Sequence, residues 1–315
     1  MKKKWFVGQG SAAVDTILYC SVPVEIDGLI GADREVVTSG GSGANLMAAA
    51  AAMGVPSALV AKVGDDAFGV RFRRELVADG VSDRYLIEQE GGVTLHTYIA
   101  VGPKGERSII VAPGACGASL TMDELPEDLL DEAFLFFTDG SPRSLAVDLV
   151  RLAKQKGVPV FYQRECVDRP LGGAYQRQGE ELLNSADLVA GGPDTYAQLV
   201  GIEEPEQALR AFYDRYHPAH GAIMTAGRRG AYWFDGEALL HHPIFPVKSI
   251  DSTGAGDAFC GGLVDAYFFR GLPKREALRF ASACGAIQCT IPGPRLKASR
   301  AQVETFLRGS KEENA

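Results

Sequence analysis

Short apolar segments alternate with helix-forming segments through the middle of the chain, and this alternation restricts the fold more than any other feature. Buried strands are predicted at residues 133–137, 158–162 and 187–190, and each precedes a helix-forming segment. Because a strand, a crossover helix and a second strand build a parallel sheet with helices on both faces, the pattern predicts an α/β fold. We expect a single domain over residues 1–308 and a disordered, Lys- and Glu-rich tail at residues 309–315.

Two segments depart from this alternation. Residues 16–38 mix β-branched, aromatic and turn-forming residues, which favour extended chain over helix. Residues 93–113 contain two β-prone stretches separated by a Gly-Pro-Lys-Gly turn, a pattern typical of a β-hairpin. We expect both segments to form a small sheet apart from the main core.

Charge and composition exclude several classes of function. The 315 residues carry a formal net charge of −8, and the basic residues are scattered, which argues against a nucleic-acid partner. The longest stretch of low polarity, residues 46–55, is too short to span a bilayer, so no membrane partner is expected. None of the six cysteines lies in a CxxC pair or at a zinc-binding spacing, so we expect structural thiols in a cytoplasmic protein.

A glycine-rich segment before Asp257 carries the clearest chemical signal. Its sequence over residues 251–257, DSTGAGD, leaves the backbone N–H groups of Gly254, Ala255 and Gly256 unshielded by large side chains. If a helix begins near Gly254, these N–H groups and the positive end of the helix dipole converge on one point, which suits a phosphate group. Asp257 would then lie in the first turn, either as the general base for a hydroxyl or as a helix-capping carboxylate.

Two signatures in the chain resemble those of the ribokinase-like, or PfkB, family of carbohydrate and nucleoside kinases. The first extends from residues 40–45, GGSGAN, to residues 63–69, and the second is residues 251–257. No GxxxxGK[ST] motif is present, which excludes an ordinary P-loop kinase. The resemblance covers nearly the whole chain and implies a three-layer α/β sandwich with a mainly parallel central sheet and a small β-sheet lid.

The resemblance implies roles for individual residues. Asp257 corresponds to the family's catalytic base, and residues 254–256 correspond to its anion hole. Asp15, Gly41 and Asn45 correspond to residues that bind the sugar. Their chemistry agrees, because a carboxylate and an amide can hold neighbouring hydroxyls while a glycine lets the ligand approach the backbone. Capping of a helix is an alternative role for Asn45.

Two further residues are candidates for sugar contacts. His96 lies on the predicted lid hairpin, and Arg164 follows a predicted strand, where its guanidinium could reach an anionic group of the substrate. The alternatives are a half-buried strand histidine and a solvated or salt-bridged arginine.

Residues that bind ATP are predicted in the C-terminal half. Residues 225–230, TAGRRG, resemble the family's nucleotide loop, although the same pattern alone would indicate only a strand-to-hairpin turn. The predicted nucleotide contacts are Thr225, Gly227, Gly230, Ser252, Thr253 and Ser282.

The positions that would support metal ions depart from the family pattern. Many relatives carry an Asn-x-x-Glu pair that supports Mg²⁺ and phosphate, whereas residues 192–195 here are Gly-Pro-Asp-Thr, so we expect Asp194 to substitute in part through water. Relatives also bind a monovalent cation such as K⁺ beside the positions of Asp251 and Thr253, and a serine commonly closes that site where this chain has Lys297. The Lys297 ammonium is expected to replace K⁺, with a solvated surface lysine as the alternative.

These features together predict an ATP- and Mg²⁺-dependent kinase that phosphorylates a hydroxymethyl group of a monosaccharide or close analogue. ATP and a small sugar are the expected partners, together with a second copy of the chain in a homodimer through the lid. A nucleoside kinase of the same family is the first alternative, and it would need aromatic stacking partners such as Tyr19, Tyr85 or Tyr98. A sugar sensor without turnover is the second alternative, because the magnesium-supporting pair is missing.

Overall fold

Two β-sheets and the helices around them make up the computed structural model, which describes residues 4–23, 29–103, 107–112, 114–164 and 172–312. In chain order the strands are β1 (Trp5–Gln9), β2 (Ala13–Tyr19), β3 (Arg34–Gly40), β4 (Ser57–Gly64), β5 (Val81–Ser82), β6 (Leu86–Gln89), β7 (Leu95–Val101), β8 (Arg107–Val111), β9 (Ala133–Thr138), β10 (Val160–Arg164), β11 (Leu188–Gly191), β12 (Gly221–Thr225), β13 (Ala231–Phe234) and β14 (Leu239–His242). The α-helices are α1 (Ser42–Ala52), α2 (Ala67–Ala78), α3 (Arg143–Gln155), α4 (Gly172–Ser185), α5 (Pro193–Val200), α6 (Pro205–Tyr216), α7 (Ala255–Leu263), α8 (Lys274–Gln288) and α9 (Arg300–Glu312).

The main sheet has the strand order β14-β13-β12-β11-β10-β9-β1-β4-β5, and β6 also pairs with β4. Every pairing from β12 to β5 is parallel, whereas β13 and β14 form an antiparallel edge. All eight residues of β4 are buried, as expected for a parallel strand covered on both faces. Core residues of α1, α2, α7, α8 and α9 cluster on one face and those of α3 to α6 on the other. The predicted three-layer sandwich with a mainly parallel sheet is therefore confirmed.

Small side chains bring α1 and α7 close together. Ala48, Ala49 and Ala50 are completely or almost completely buried. A Cβ at Gly261 of α7 would lie only 2.5 Å from the Cβ of Ala49, so the helices approach more closely than larger residues would allow. This contact places the first turn of α7 beside the first turn of α1, which brings the two sequence signatures together.

A separate four-stranded sheet has the order β3-β2-β7-β8. It is the predicted lid, but its strands begin at Ala13 and end at Gly40, outside the predicted limits of 16–38 in both directions. Asp15 therefore belongs to the lid sheet itself, opposite Thr38 of β3 and Thr97 of β7. Residues 24–28, 104–106 and 113 of the predicted lid segments lie outside the described residues.

The last helix extends past residue 308, the predicted end of the domain. Helix α9 continues to Glu312, so residues 309–312 are helical instead of disordered, while residues 313–315 lie outside the described part of the chain. Lys and Glu are good helix formers, and their abundance is therefore compatible with a final helical turn. Among the described residues, no helix combines the length and apolar character needed to cross a bilayer.

Candidate active site

The turn before α7 has a geometry that only glycine can adopt. Gly254 caps the helix with a φ of 72°, and a Cβ at this position would lie 1.9 Å from the carbonyl oxygen of Pro294. The Ala255 N–H donates to the Ser252 carbonyl at 3.2 Å, which closes the turn. A Cβ on Gly256 would meet no atom within 4 Å, so the backbone there is open to a ligand. The helix begins where the sequence predicted, with Asp257 in its first turn.

Hydrogen bonds from the side chains of Ser42, Asn45 and Gln163 hold the carboxylate of Asp257, which is only 5% exposed. Its Oδ1 accepts from Ser42 Oγ at 2.8 Å and from Gln163 Nε2 at 2.9 Å, and its Oδ2 accepts from Asn45 Nδ2 at 3.1 Å. These donors come from α1 and β10, far from Asp257 in sequence. They fix the direction of the carboxylate, as an acid–base group needs.

Asn45 does not cap α1, because its side chain turns toward Asp257 and the helix cap is Gly41 without a side-chain hydrogen bond. Its Oδ1 accepts a long bond from Arg295 Nε at 3.5 Å, and Arg295 in turn pairs with Asp79 at 2.7 Å. Nothing in the sequence indicates that Arg295 belongs to the site, because this arginine lies in a Pro- and Gly-containing loop 250 residues beyond Asn45.

The glycine loop before α1 is fitted closely against the end of β1. Gly41 has a φ of 90°, and a Cβ there would lie 2.3 Å from the Ser11 carbonyl oxygen. The carboxylate of Asp139 accepts from the backbone N–H groups of Ser11 at 2.7 Å and Gly43 at 3.2 Å. Asp139 thus positions the loop that carries Ser42 and Asn45.

Asp15 reaches this loop from the lid. A Cβ on Gly40 would lie 2.0 Å from Asp15 Oδ2, so the carboxylate sits directly against the backbone before Gly41. The Thr97 hydroxyl donates to Asp15 Oδ1 at 2.6 Å. Burial raises the pKa of Asp15, while the Thr97 hydrogen bond and the charge of Arg295 oppose that increase.

His96 lies on the other face of the lid sheet. Because side chains alternate along a strand, His96 points away from the face shared by Thr97 and Asp15. Its ring stacks on Phe68 of α2 with centroids 4.8 Å apart, and its Nδ1 lies 2.9 Å from the Thr94 carbonyl oxygen. This environment matches the half-buried strand histidine that was the alternative to a sugar contact.

Gln163, for which the sequence suggested no role, lies in the site, whereas the predicted sugar contact Arg164 does not. Gln163 faces α7 and binds Asp257, whereas Arg164, the next residue of β10, points to the opposite face of the main sheet. There its charge opposes the effect of burial on the phenol of Tyr216 in α6, whose pKa is raised to about 12. The direct sugar contact predicted for Arg164 is therefore not supported. Gln163 could have been found from the sequence, because it is a polar residue at the end of an otherwise apolar strand.

A cavity of about 1090 Å³ opens beside the first turn of α7. Five of the six predicted nucleotide residues line it, together with Ala255 and Gly256 of the predicted anion hole. Its remaining wall is largely apolar and includes residues 243–247 and Phe259. The five are Thr225, Gly227, Gly230, Ser252 and Ser282. Thr253 is not part of the lining, and its carbonyl accepts instead from Gln288 Nε2 at 3.1 Å.

Asp194, the residue predicted to support Mg²⁺, lies at the surface. Asp194 is exposed in the first turn of α5, directly after β11. In the described ranges, no group of three or more His, Cys, Asp or Glu residues could hold a metal ion. A single exposed carboxylate suits a Mg²⁺ ion that keeps most of its ligands from ATP and water.

Lys297 does not occupy the predicted monovalent-cation position. Its ammonium pairs with Asp79 at 2.5 Å, and its side chain is 65% exposed. Asp251 instead accepts from the backbone N–H groups of Thr253 at 2.9 Å and Gly293 at 3.0 Å. The structure therefore does not support the expected replacement of K⁺ by Lys297, because the carboxylate of Asp79 holds the lysine at the surface.

The fold and this arrangement of a glycine-capped helix, a buried aspartate and a nucleotide-sized cavity define a class of kinases. Residues 10–300 match the model of the pfkB family carbohydrate kinases, and the chain belongs to this family. It is 30% identical to an ATP-dependent ribose-1-phosphate kinase of Halopiger xanaduensis over 285 residues, which cover 90% of this chain and 91% of that protein. Fructokinase-2 of Oryza sativa subsp. japonica is 30% identical over 276 residues, which cover 82% and 81% of the two chains.

A solved structure of Arabidopsis thaliana ribokinase, complexed with ribose and ATP, superposes on this chain with a TM-score of 0.84. The two sequences are 25% identical, and the match covers 98% of this chain and 99% of the ribokinase. The predicted family and ribokinase-like fold are thus confirmed by sequence and by structure.

Proposed function

We propose that this protein transfers the γ-phosphoryl group of ATP to a hydroxymethyl group of a monosaccharide or a close analogue. The position of Asp257 carries the proposal. Its carboxylate binds Ser42 and Asn45 of the first signature, while its helix begins at the wall of the nucleotide cavity. One residue therefore lies between the two predicted binding sites, as direct transfer between two bound substrates requires.

In this mechanism the sugar lies between the lid and the glycine loop. Asp15 and Asn45 hold its hydroxyl groups, and the backbone at Gly41 allows close approach. The reacting hydroxyl donates to Asp257, which takes the proton as the hydroxyl oxygen bonds to the γ-phosphorus, the bond from that phosphorus to the β–γ bridging oxygen breaks, and ADP leaves. The backbone N–H groups at the start of α7, chiefly that of Gly256, stabilise the negative charge of the transferred group.

Mg²⁺ belongs to the proposal as the ion that binds the ATP phosphates and neutralises their charge. Asp194 is the described residue that we assign to it, through water. The Arabidopsis ribokinase complex with ribose and ATP supports the assignment of ATP as the phosphoryl donor.

The aromatic residues of the lid region favour a sugar over a nucleoside. Tyr98 lies on the same lid face as His96, away from Asp15, and Tyr19 is covered by the guanidinium of Arg34 at 4.0 Å. Tyr85 is buried beside β6, outside the lid. None of these three tyrosines has a free ring face next to Asp15 on which a base could stack. The buried, hydrogen-bonded Asp257 at the start of a glycine-capped helix likewise argues against a sensor without turnover.

A homodimer through the lid and a cytoplasmic location are further parts of the proposal. Ile109, Ile110 and Val111 of the edge strand β8 are each more than half exposed, and an edge strand with such side chains favours pairing with another copy. Light scattering should show a dimer that Ile110→Lys dissociates and that the equally drastic Val70→Lys on α2 leaves intact. The five described cysteines are free thiols, which supports a reducing compartment.

ADP release from MgATP, measured with a panel of monosaccharides, sugar phosphates and nucleosides, tests the proposed function. We expect release to depend on a sugar or a sugar phosphate and to fall at least about 10²-fold in Asp257→Asn. Release with nucleosides only would establish the nucleoside alternative. Specific sugar binding without any ADP release would favour the sensor and overturn the kinase assignment.

A further inference from the structure

A buried glutamine joins the turn before α7 to the C-terminal loop. Gln288, the last residue of α8, has no exposed surface. Its Nε2 donates to the carbonyl oxygen of Thr253 at 3.1 Å and to that of Gly293 at 2.5 Å. Its Oε1 is buried and has no hydrogen-bond partner among the described residues. The position thus carries an unsatisfied acceptor, which is a cost that the two donated bonds must offset.

Asp251 binds the turn before α7 and the C-terminal loop through backbone N–H groups of both segments. Its carboxylate accepts from the backbone of Thr253 at 2.9 Å and of Gly293 at 3.0 Å. The segments are in close contact next to this point, because a Cβ on Gly254 would lie 1.9 Å from the Pro294 carbonyl oxygen. The conformation of the turn that opens α7 therefore depends on where Thr253 and Gly293 are held.

The carbonyl oxygens of Thr253 and Gly293 point toward the same position, and a group of positive charge is needed between them. Either the N–H groups of an amide or a small cation can fill that role, because both present positive charge to oxygen. Here the amide of Gln288 fills it. The other nearby cations are engaged elsewhere, since Lys297 pairs with Asp79 at the surface and Arg295 pairs with Asp79 on the sugar side.

We infer that Gln288 is a positioning residue of the anion hole, and that its amide holds the turn before α7 in the phosphate-binding conformation without a bound monovalent cation. The inference rests on the proposed function of the α7 N-terminus. Gln288 itself does not contact the reacting atoms. It acts through Thr253, which sets the backbone of Gly254 to Gly256.

The test removes the Gln288 amide and compares a variant that leaves its space empty with one that fills it. Gln288→Ala leaves the carbonyls of Thr253 and Gly293 and the carboxylate of Asp251 around a small cavity, a set of oxygen atoms that suits K⁺. Gln288→Met fills the same space without donors or room for an ion. Gln155→Ala is the matched control, because Gln155 is also the last residue of a helix, α3, but is exposed and remote from the site.

Turnover is measured with MgATP in buffer free of K⁺ and Na⁺ and again with KCl, at an ionic strength held constant with choline chloride. We expect the wild type and Gln155→Ala to respond to KCl by less than about twofold. Gln288→Ala should lose about 10- to 100-fold in kcat without KCl, because small displacements of an anion hole are costly, and should recover much of it with KCl. Gln288→Met should lose kcat and gain no response to KCl.

Thermal unfolding of the same proteins gives a readout that does not require turnover. KCl should raise the melting temperature of Gln288→Ala more than that of the wild type, even if no sugar in the panel is phosphorylated. Strong activation of the wild type by KCl would overturn the inference, as would a folded Gln288→Ala with normal kcat and no KCl response. If neither variant folds, the response of the wild type to KCl decides alone.

Discussion

Replacing Asp257 by asparagine tests both the chemistry and the geometry of the site. In the wild-type protein the two carboxylate oxygens accept hydrogen bonds from Ser42, Asn45 and Gln163 at 2.8–3.1 Å. An asparagine keeps one acceptor oxygen, which can serve Ser42 and Gln163. Its Nδ2 would then face Asn45 Nδ2, and two donors repel each other. The substitution therefore removes the base and also leaves a buried amide group unpaired.

The stability cost follows from that geometry. An unpaired buried donor costs about 1–3 kcal/mol. Asn45 can turn its amide, but its Nδ2 would then face Arg295 Nε, which now donates to the Asn45 oxygen at 3.5 Å, so the relief is incomplete. At about 2 °C per kcal/mol for a chain of this size, the melting temperature should fall by about 2–6 °C. Turnover should fall at least about 10²-fold, since an amide does not take the proton.

A second substitution separates the two effects. In the double variant Asn45→Asp, Asp257→Asn, the amide and the carboxylate exchange places, so the donor–acceptor pair is restored with the opposite direction. Arg295 then meets a charged acceptor instead of an amide oxygen, which strengthens that contact. We expect the melting temperature to return to within about 2 °C of the wild type. Turnover should stay low, because the carboxylate no longer lies in the first turn of α7.

The assay combines thermal unfolding without ligands and coupled ADP release with the best sugar of the panel. Asn184→Asp serves as the control for adding a carboxylate, because Asn184 lies on α4, away from the site. A double variant that melts no higher than Asp257→Asn would refute the hydrogen-bond reasoning. Recovered turnover in the double variant would show that the base need not stand at position 257.

Three further predictions follow from neighbouring positions. Burial raises the pKa of Asp15 above its ordinary value of 3.8, so the stabilising contribution of its protonated form is complete below that value and is lost as pH rises through the folded pKa. Asp15→Asn should therefore raise the melting temperature near pH 7 while weakening sugar binding, and an unchanged melting temperature would contradict this. Asp194→Ala should raise the Mg²⁺ concentration needed for half-maximal turnover, whereas an unaltered magnesium titration would remove Asp194 from its assigned role. Gly256→Ala should leave the melting temperature nearly unchanged, since its Cβ meets no atom within 4 Å, but should raise the KM for ATP roughly 3- to 10-fold. An unaltered KM for ATP would show that phosphate does not approach this backbone.

The start of α7 could be predicted from sequence because its causes are local. Gly254 adopts a positive φ that other residues rarely adopt, and the small residues around it allow a tight turn, so the helix start and the place of Asp257 follow from a few neighbouring letters. The strands of the main sheet were predictable for a related reason. An apolar run such as residues 133–137 has few alternatives to a buried strand, and β9 extends it by a single residue.

The remaining site residues depend on long-range geometry that periodicity does not encode. Gln163 and Arg164 are adjacent polar residues at the end of one strand, and only the packing of α7 on one face of the sheet decides which of them meets Asp257. Lys297 was assigned to an ion site because it stands where relatives commonly have a serine, and its actual partner, Asp79, lies 218 residues away and gives no local signal. His96 was assigned to the sugar because it lies on the predicted lid hairpin, and the sequence does not reveal that its face of the lid packs on Phe68 of α2.

The loop after α8 links the two halves of the site more directly than either sequence signature does. Gly293 is held by Gln288 and Asp251 beside the anion hole, and the next residue's carbonyl oxygen is the atom that a side chain on Gly254 would strike. Arg295, two residues beyond Gly293, contacts Asn45 on the sugar side. Within residues 293–295, Gly293 and Pro294 lie against the phosphate-binding turn and Arg295 contacts the sugar-binding amide of Asn45. A shift of this loop therefore changes both sites together. Substitutions in the loop should therefore alter kcat and the KM for sugar together, whereas substitutions in the lid should act mainly on the KM for sugar.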